Sequence, residues 1–504
     1  MSDLSLSRLS AARTDEADVI GVERLPIRFA PDDARVITLP FLAGGQDRLR
    51  RLFDRVAALD ESDVVALLYE VSASYGHRHP DLSVAFQENA GSGAAMAGLR
   101  MENWSDARQQ LLGAYLTMEF AIDAAALFNP SIVPHPDQSG LNQGELRFII
   151  SLRATGEGHV SSIVFRTGVI DRQCRVLLDP PATSLARGRI RPDKTYLKHL
   201  IVKRLSEMNG LAPSNQHVLA QLPDAFTLGQ LIRSAEQTRP QTRDMPGGPW
   251  AVDTLLWLAR SNYRIDLSPG VNLTELVIFP THQHESRGME DLRLVRFVDD
   301  DRSVTYFGTY TAYNGVRILP MMLQTADFRS IESHSLNGRA ALNKGMALFP
   351  RRVGGHYMMC SRIDGENLYL SCSDFVHFWE EAAVLVMPLE PWELRQIGNC
   401  GSPIETPEGW LLLTHGVGPM RCYAIGAMLL DLDDPAKIRG RLRRPLLSPE
   451  GPEREGYVPN VVYSCGALIH QEKLLLPYAQ ADKTTSIAAV DLNELLARLI
   501  DSGP

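Results

Sequence analysis

The sequence predicts an all-β fold, a five-bladed β-propeller that carries an N-terminal helical extension and a helical insertion. Three observations lead to this prediction. From about residue 270 onward, the chain reads as short strands bounded by Gly, Pro, Asp or Asn. Two local patterns repeat along these strands at a spacing typical of four-stranded blades. Before residue 270, hydrophobic residues follow a helical period except in one β-rich stretch.

Residues 1–124 are predicted to form the helical extension, because apolar residues between Leu49 and Val71 recur at helical spacing. Residues 107–127 predict a long helix that ends before Asn129-Pro130, since a residue ahead of proline disfavours the helical region. Acidic residues appear near the N-terminus before any apolar run, so no secretory signal is expected. No apolar run approaches the roughly 20 residues of a membrane span.

Residues 125–504 are predicted to form the propeller, which would be the catalytic domain. Residues 146–170 alternate with a period of two, as strands do, and residues 190–262 return to a helical period. We therefore expect a helical insertion at about 175–265, after the first blade. The five predicted blades lie near residues 130–170, 275–327, 345–375, 400–433 and 458–491.

Two repeated patterns support the blades. A proline opens a unit at Pro350, Pro403 and Pro459, with spacings of 53 and 56 residues. A strand followed by an acidic turn closes a unit, and this phrase ends at Asp327, Asp374, Asp433 and Asp491. A β-sandwich would contain similar strands but gives no reason for a repeat of this length.

Composition restricts the function. The chain has 504 residues and a net charge of -9, which argues against nucleic acid as a partner because phosphate backbones require a basic surface. With 44% hydrophobic and 22% charged residues it is typical of globular proteins rather than membrane proteins. The six cysteines show no C-x-x-C spacing, which fits reduced thiols in the cytoplasm.

The most informative local feature is Glu290-Asp291-Leu292-Arg293, which follows Arg287-Gly288. It places two adjacent carboxylates between guanidinium groups at the start of a predicted strand. Burial and charged neighbours can tune the pKa of such a carboxyl for acid chemistry. On these residues alone, a surface salt-bridge cluster is the better interpretation.

From about residue 127 to 490, leaving out the insertion, the chain resembles glycoside hydrolase family 130, the β-mannoside phosphorylases and related mannosidases. The resemblance implies a five-bladed propeller. The chain has Glu-Asp-Leu-Arg where the family usually has Glu-Asp-Pro-Arg, and its helical N-terminus is absent from shorter members, which indicates an outlying branch. The matching segments are Phe128-Asn129-Pro130, Arg153, residues 288–293, Asn343-Lys344, residues 347–350, Ser361-Arg362, residues 398–404, residues 409–417 and Ala481-Asp482.

The resemblance implies that Asp291 is the general acid and that its proton reaches the glycosidic oxygen through a sugar hydroxyl. Glu290 and Arg293 would orient and charge this acid. Asn129, Arg153 and Asp482 would hold the sugar at the cleaved bond, since hydroxyls need paired donors and acceptors. Two structural alternatives remain open. Asn129 could instead end a helix, and Asp482 could instead be a turn residue.

Lys344, Arg362 and His415 match the residues that bind inorganic phosphate in the phosphorylases. Phosphate would attack opposite the acid and invert the anomeric centre, so no carboxylate base is needed. Alternatively, Lys344 and Arg362 are solvated surface charges and His415 is a core histidine. A hydrolase would instead need a base that activates water, with Glu380 and Glu381 as candidates.

We therefore expect a phosphorylase that cleaves β-mannosidic linkages with phosphate as co-substrate, gives α-mannose 1-phosphate, and uses no metal or other cofactor. The alternatives are an inverting β-mannosidase of the same fold and a non-catalytic carbohydrate-binding propeller. The N-terminal helices are candidates for a homo-oligomer contact or for a cover over the site. The sequence leaves that choice open, as it does the linkage and the acceptor sugar.

Two weaker signals have competing interpretations. His282, His284 and Glu285 have the spacing of metal ligands on a strand, but a loop lining the substrate entrance is the favoured interpretation. Tyr310, Tyr313 and Trp379 are candidates for stacking on sugar rings, although aromatic residues in such strands are more often core.

Overall fold

The computed structural model describes residues 20–503 except residues 43, 192–194 and 208–209. The prediction that no secretory signal is present falls on the first 19 residues, which lie outside this range. Across the described residues, no helix combines the length and the apolar character that crossing a membrane requires.

Most of the described helices are grouped in two segments, one ahead of the strand-rich part of the chain and one within it, and a last helix follows the final strand. Their first turns are capped where the sequence offers a hydroxyl: Ser105 accepts from the backbone N of Arg108, and Thr227 shares a reciprocal cap with Gln230. The helices are α1 (Gly45–Ala57), α2 (Glu61–Tyr75), α3 (Leu82–Ala97), α4 (Asp106–Tyr115), α5 (Lys198–Glu207), α6 (Pro213–Ala220), α7 (Leu228–Thr242), α8 (Gly248–Arg260) and α9 (Leu492–Ser502).

The prediction of one long helix over residues 107–127 is wrong. The helix α4 ends at Tyr115, and the chain continues as strands β3 (Thr117–Ala121) and β4 (Ala126–Pro134). The strand β3 pairs with β2 (Val36–Pro40), so tertiary pairing overrides the local helical pattern. Asn129 is therefore not a helix stop but a residue inside β4.

The first two sheets are antiparallel apart from one parallel pairing of two short strands, and they are joined by a single parallel pairing of Gly288 with Ser161. The first contains β4, β5 (Leu146–Thr155), β6 (Ser161–Ile170), β7 (Val176–Leu178) and β13 (Leu276–Ile278). The second contains β14 (Gly288–Val298), β15 (Val304–Tyr313), β16 (Ile318–Thr325) and β17 (Ser330–Ser335). The insertion adds β12 (Tyr263–Asp266) and β9 (Arg189–Arg191) to the second sheet and β8 (Ala186–Arg187) to the first, while β10 (Thr195–Leu197) pairs with β11 (Ala225–Thr227).

Three further sheets follow in chain order. The third contains β18 (Lys344–Leu348), β19 (Tyr357–Arg362), β20 (Leu368–Ser373) and β21 (Ala382–Val386). The fourth contains β22 (Gln396–Asn399), β23 (Ile404–Thr406), β24 (Gly409–Val417), β25 (Tyr423–Leu430) and β26 (Ile438–Arg441). The fifth contains β27 (Val462–Tyr463), β28 (Leu468–His470), β29 (Lys473–Gln480), β30 (Thr484–Asp491) and, from the N-terminal segment, β1 (Val22–Phe29).

The strand β1 belongs to the last sheet rather than to a helical extension. It pairs antiparallel with β30, with Val22 opposite Val490 and Phe29 opposite Thr485. The predicted helices of the first 124 residues are present as α1 to α4, but they lie between strands that the helical interpretation missed. Helices α5 to α8 lie inside the predicted insertion.

The acidic pattern and the proline pattern of the sequence have different positions relative to the strands. The acidic phrase follows the third strand of the second, third, fourth and fifth sheets, where β16, β20, β25 and β30 end. Pro350 and Pro403, however, do not open their units, because each follows the first strand of its sheet, β18 and β22 respectively. Prolines suit these positions since no backbone N–H is needed at the end of a strand.

Apolar side chains fill the spaces between successive sheets. Leu413 and Ile425 of the fourth sheet share one cluster with Leu474 and Leu476 of the fifth. The first strands of the sheets lie beside one another: β14 contacts β4 and β18, and β18 contacts β22.

Several of these first strands bend at a β-bulge. Asn129 (φ 48°), Asp291 (φ 57°) and Gly345 (φ 81°) have left-handed backbones at the register shifts of β4, β14 and β18. Asn, Asp and Gly tolerate this conformation better than other residues. The bulges bring side chains from three sheets to one place.

Candidate active site

Asp291 lies at the bulge of β14, and its carboxylate is bound from two sides. The side-chain amide of Asn129 donates to its Oδ1 at 2.7 Å, and Nη1 of Arg153 donates to the same oxygen at 3.1 Å. The side chain is 14% exposed. Burial alone would raise the pKa of Asp291, but Arg153, Arg293 and Lys344 outweigh it and lower the pKa to about 2.

Glu290 joins the carboxylate pair to two cations. Its Oε1 accepts from Nη2 of Arg153 at 2.8 Å, and its Oε2 accepts from Nζ of Lys344 at 2.7 Å. Nε of Arg153 donates to Oγ of Ser161 at 2.9 Å, which fixes the guanidinium plane. Arg153 binds two adjacent carboxylates at once through the two ends of its guanidinium group. A lysine, with a single ammonium group, cannot bind in this way.

Arg293 contacts the backbone of Asp291. Its Nη1 donates to the backbone oxygen of Asp291 at 3.0 Å, and its Nη2 donates to the hydroxyl of Tyr463 at 2.6 Å. The side chain is 3% exposed, so its charge acts on Asp291 with little screening by water.

Asp482 lies in the turn between β29 and β30, with a left-handed backbone (φ 49°). Burial raises the pKa of its carboxyl to about 6, and the negative charge of Asp291 adds to this shift against the opposing charge of Arg153. Asp482 is therefore both a turn residue and a member of the carboxylate cluster. The two aspartates have pKa values on opposite sides of the usual value for this side chain, as in sites where two carboxyls take different roles.

Lys344 and Arg362 are directly opposite one another on β18 and β19. Nη1 of Arg362 donates to Nε2 of His415 at 3.1 Å, and Nδ1 of His415 lies 3.0 Å from the backbone oxygen of Asn399. Because that oxygen can only accept, His415 carries its proton on Nδ1. Burial and the charge of Arg362 lower its pKa well below the usual value, so the imidazole is neutral.

The structure thus brings together the predicted residues from all five sheets. Lys344 and Arg362 supply cationic charge, whereas His415 fixes the position of Arg362. The roles assigned to these residues stay predictions. The ion pair between Lys344 and Glu290 joins the basic residues of the third sheet to the carboxylates of the second. The nine predicted residues are Asn129, Arg153, Glu290, Asp291, Arg293, Lys344, Arg362, His415 and Asp482.

Other predicted candidates lie elsewhere. Glu380 forms an ion pair with the exposed Arg339. Glu285 does not line an entrance, because it is fully buried and accepts from the hydroxyls of Tyr263 and Tyr310 at 2.9 and 2.7 Å. His284 is also buried, at 2% exposure.

Two aromatic candidates are core residues, since Tyr310 is 3% and Trp379 0% exposed. Within the described part of the chain, no set of three or more His, Cys, Asp or Glu side chains is arranged to hold a metal ion.

Sequence reasoning missed the residues that position the predicted ones. Ser161 orients Arg153, Tyr463 orients Arg293, and Asn399 orients His415. Gly398 leaves room for the imidazole, because a Cβ there would lie 2.5 Å from Cε1 of His415. Each acts through a neighbour in another strand or sheet, so no local pattern marks it.

Comparisons with known proteins identify the family of this chain. The family model of glycoside hydrolase family 130, described as beta-1,4-mannooligosaccharide phosphorylase, matches residues 266–500. A 1,2-beta-oligomannan phosphorylase of Thermoanaerobacter sp. (strain X514) is 30% identical over 246 residues, which cover 47% of this chain and 81% of that protein. A Beta-1,4-mannooligosaccharide phosphorylase of Ruminococcus albus is 31% identical over 215 residues, covering 40% of this chain and 62% of the relative.

Among solved structures, the Beta-1,2-Mannobiose phosphorylase from Listeria innocua in complex with beta-1,2-mannobiose is 21% identical, with a TM-score of 0.45, covering 75% of this chain and 93% of that one. The sequence relatives carry the assignment. The chain belongs to glycoside hydrolase family 130.

Proposed function

We propose that this protein is an inverting glycoside phosphorylase that cleaves β-mannosidic linkages with inorganic phosphate and releases α-mannose 1-phosphate. The observation that carries the proposal is the pairing of Lys344 with Glu290, at 2.7 Å, beside Asp291. It places a cation from the third sheet next to the carboxylates of the second. The family relatives named as mannoside phosphorylases support the same reaction.

We also propose that the five sheets are blades of a β-propeller. A cavity of about 260 Å³ supports this arrangement, because residues from every sheet line it, among them Ile132, Leu294, Pro350, Pro403 and Leu468. Ile132 and Leu294 lie in the first strands β4 and β14, Pro350 and Pro403 follow the first strands β18 and β22, and Leu468 begins β28. Such a lining is expected around a central axis. The strand β1 would then close the ring by completing the last blade.

In this mechanism Asn129, Arg153 and Asp482 hold the mannose unit at the cleaved bond. A phosphate oxygen forms the new bond to the anomeric carbon while the bond from that carbon to the leaving oxygen breaks. The proton for the leaving oxygen comes from Asp291 through a sugar hydroxyl. Phosphate is itself the nucleophile, so the site needs no second carboxylate to activate water.

The acid must hold a proton when the reaction occurs, yet the charges around Asp291 keep its pKa near 2 in the free protein. Phosphate bound by Lys344 and Arg362 would add about two negative charges close to these cations. It would thereby offset the charges that lower the pKa of Asp291. Protonation of the acid is then coupled to phosphate binding, which favours phosphorolysis over cleavage by water.

The proposal includes a reducing compartment such as the cytoplasm. Cys360, Cys400 and Cys465 are buried free thiols, and the remaining three cysteines are also unpaired. Thiols persist in this state where the redox poise is reducing.

A phosphate titration tests the function. The rate of mannobiose cleavage should rise from zero and saturate with phosphate. Lys344→Ala should raise the KM for phosphate at least tenfold and change the KM for the mannobiose far less. Cleavage at an unchanged rate in phosphate-free buffer would reject the proposal.

A further inference from the structure

Three side chains surround the site without a part in the mechanism above: His159, Arg421 and Tyr457, which we call the rim. His159 lies in the loop between β5 and β6, and Arg421 lies in the loop between β24 and β25. These loops join the second and third strands of the first and fourth sheets. Asp482 lies in the corresponding loop of the fifth sheet, so all three loops are at the same end of their sheets as the candidate active site.

Tyr457 and His159 form a flat aromatic surface beside Asp482. Their ring centroids are 5.7 Å apart with an interplanar angle of 29°, and the hydroxyl of Tyr457 lies 3.2 Å from Nδ1 of His159. The backbone N of Val458 donates to the oxygen of Ala481 at 2.8 Å, which fixes Tyr457 next to the turn that carries Asp482. Tyr457 is nevertheless 54% exposed, so much of this ring is open to a ligand.

The positive charge of Arg421 acts on Asp482 and opposes the rise in the pKa of that carboxyl. Its guanidinium carbon lies 5.8 Å from the ring centroid of Tyr423, and that ring stacks on His415 at 6.0 Å. Arg421 is therefore linked through Tyr423 to His415, one of the residues proposed to bind phosphate. Its charge also acts on Asp482, the carboxylate proposed to hold the sugar.

The backbone of the rim is strained. His159 (φ 59°), Met420 (φ 56°) and Arg421 (φ 55°) adopt the left-handed conformation without being glycine. Such conformations cost free energy and are concentrated at ligand sites, where the fold holds a side chain in a required position. Met420 is 88% exposed, so the burial of an apolar side chain does not explain this loop.

A disaccharide substrate has a second ring beyond the cleaved bond. Inversion requires the leaving ring to depart opposite to the attacking phosphate. Lys344 and Arg362 lie in the third sheet, whereas His159 and Tyr457 lie in or next to the first and fifth. A pyranose ring has an apolar face and a polar edge, which suits an aromatic surface flanked by a guanidinium donor.

We propose that Tyr457, stacked on His159, and Arg421 bind the leaving sugar of the mannoside and so determine which acceptors the enzyme accepts. This inference rests on the proposed phosphorylase function. It assigns the rim to the acceptor, in addition to the groups that bind phosphate or the transferred mannose, and Arg421 also acts on the pKa of Asp482.

The synthetic direction isolates the acceptor. The enzyme is supplied with α-mannose 1-phosphate and with mannose, glucose or N-acetylglucosamine, and released phosphate is measured. Tyr457→Ala and His159→Ala should each raise the KM for the best acceptor about five- to tenfold. The KM for α-mannose 1-phosphate should stay within about twofold. Arg421→Gln should change the order of preference among the three acceptors.

Tyr69→Ala provides the matched control, because Tyr69 is an equally large aromatic side chain, 74% exposed on α2. Its KM values should equal those of the parent protein. Thermal melting of each variant identifies any that are not folded. If Tyr457→Ala is unstable, His159→Ala and Arg421→Gln test the inference instead.

Unchanged acceptor KM values in folded rim variants would overturn the inference while leaving phosphorolysis intact. Equal increases in both KM values would also overturn it, because the rim would then act on the whole site. If the parent protein releases no phosphate with any of the three acceptors, the proposed function fails first and the inference fails with it.

Discussion

At the scale of single residues, the account depends on Asp291 being held as an anion by three cations. The bulge of β14 gives it a left-handed backbone, which an asparagine tolerates as well as an aspartate does. Asp291→Asn should therefore leave the fold intact and still accept hydrogen bonds from Asn129 and Arg153. Because the amide cannot supply the proton, kcat should fall about 10²–10⁴-fold.

Steady-state kinetics and a thermal melt on the same preparation check this prediction. Asp301→Asn is a suitable control, since Asp301 lies in the turn between β14 and β15, at the other end of β14 from Asp291. Retention of more than a tenth of the parent kcat by Asp291→Asn would remove Asp291 from the role of acid.

Asp482 should set the acidic limb of the pH profile. Its pKa of about 6 means that it loses its charge as the pH falls through that value. The charged form accepts hydrogen bonds from sugar hydroxyls more strongly, so kcat/KM for the mannoside should fall below about pH 6. Arg421 lowers this pKa, and Arg421→Gln should move the limb to higher pH.

A profile measured between pH 4.5 and 8 for both proteins, at saturating phosphate, tests the assignment. A limb that stays at the same pH in Arg421→Gln would mean that another group titrates there.

At the scale of elements, the cluster exists because the strands place distant residues opposite one another. The pairing of β18 with β19 puts Lys344 opposite Arg362, and the pairing of β22 with β24 puts Gly398 opposite His415. The missing side chain at Gly398 is what lets the imidazole lie over β22 and bind Arg362. The backbone of β22 therefore shapes the proposed phosphate site.

Gly398→Ala tests this positioning. The added methyl group would come within 2.5 Å of His415, so the imidazole must move and Arg362 loses its partner. We expect the KM for phosphate to rise about tenfold and the KM for the mannobiose to change little. Gly91→Ala in α3 is the control, because a Cβ there meets nothing within 4 Å. Equal effects on both substrates would contradict the positioning role.

The elements also show what the sequence could and could not predict. The acidic pattern located the ends of third strands in four of the five sheets, because an aspartate recurs there in the turn after the strand or, at Asp491, as the cap of α9. The helix over residues 107–127 was mispredicted because β3 is stabilised by pairing with β2, which lies about 80 residues earlier in the chain. The residues of the acid cluster were found through the family resemblance, whereas Tyr463 and Ser161 act across strands and leave no local signal.

At the scale of the whole molecule, the N-terminal strand β1 joins the two ends of the chain. Arg24 in β1 donates from Nε to Oε1 of Glu453 at 3.1 Å, and that carboxylate also accepts from Tyr478 at 2.6 Å and from Gln480 at 3.0 Å. Glu453 is 8% exposed. One buried carboxylate thus links the first strand, the fifth sheet and the segment that carries Tyr457.

Arg24→Met should destabilise the protein by about 1–3 kcal/mol, because it leaves a buried charge with fewer partners. Equilibrium denaturation in urea measures this change. In the matched double variant Arg24→Met with Glu453→Gln, part of the loss should be recovered, since the unpaired charge is removed. A double variant as unstable as the sum of the two single variants would show that the ion pair does not hold β1 in place.

In the proposed reaction phosphate, not water, receives the mannosyl group. The most direct measurement is phosphorus NMR of the protein with β-mannobiose and inorganic phosphate, using the linkage of each named relative in turn. We expect the resonance of α-mannose 1-phosphate to grow as inorganic phosphate falls, while proton NMR of the same sample shows one free mannose, the leaving ring, for each α-mannose 1-phosphate formed. Free mannose formed at the same rate with and without phosphate would contradict the proposed reaction.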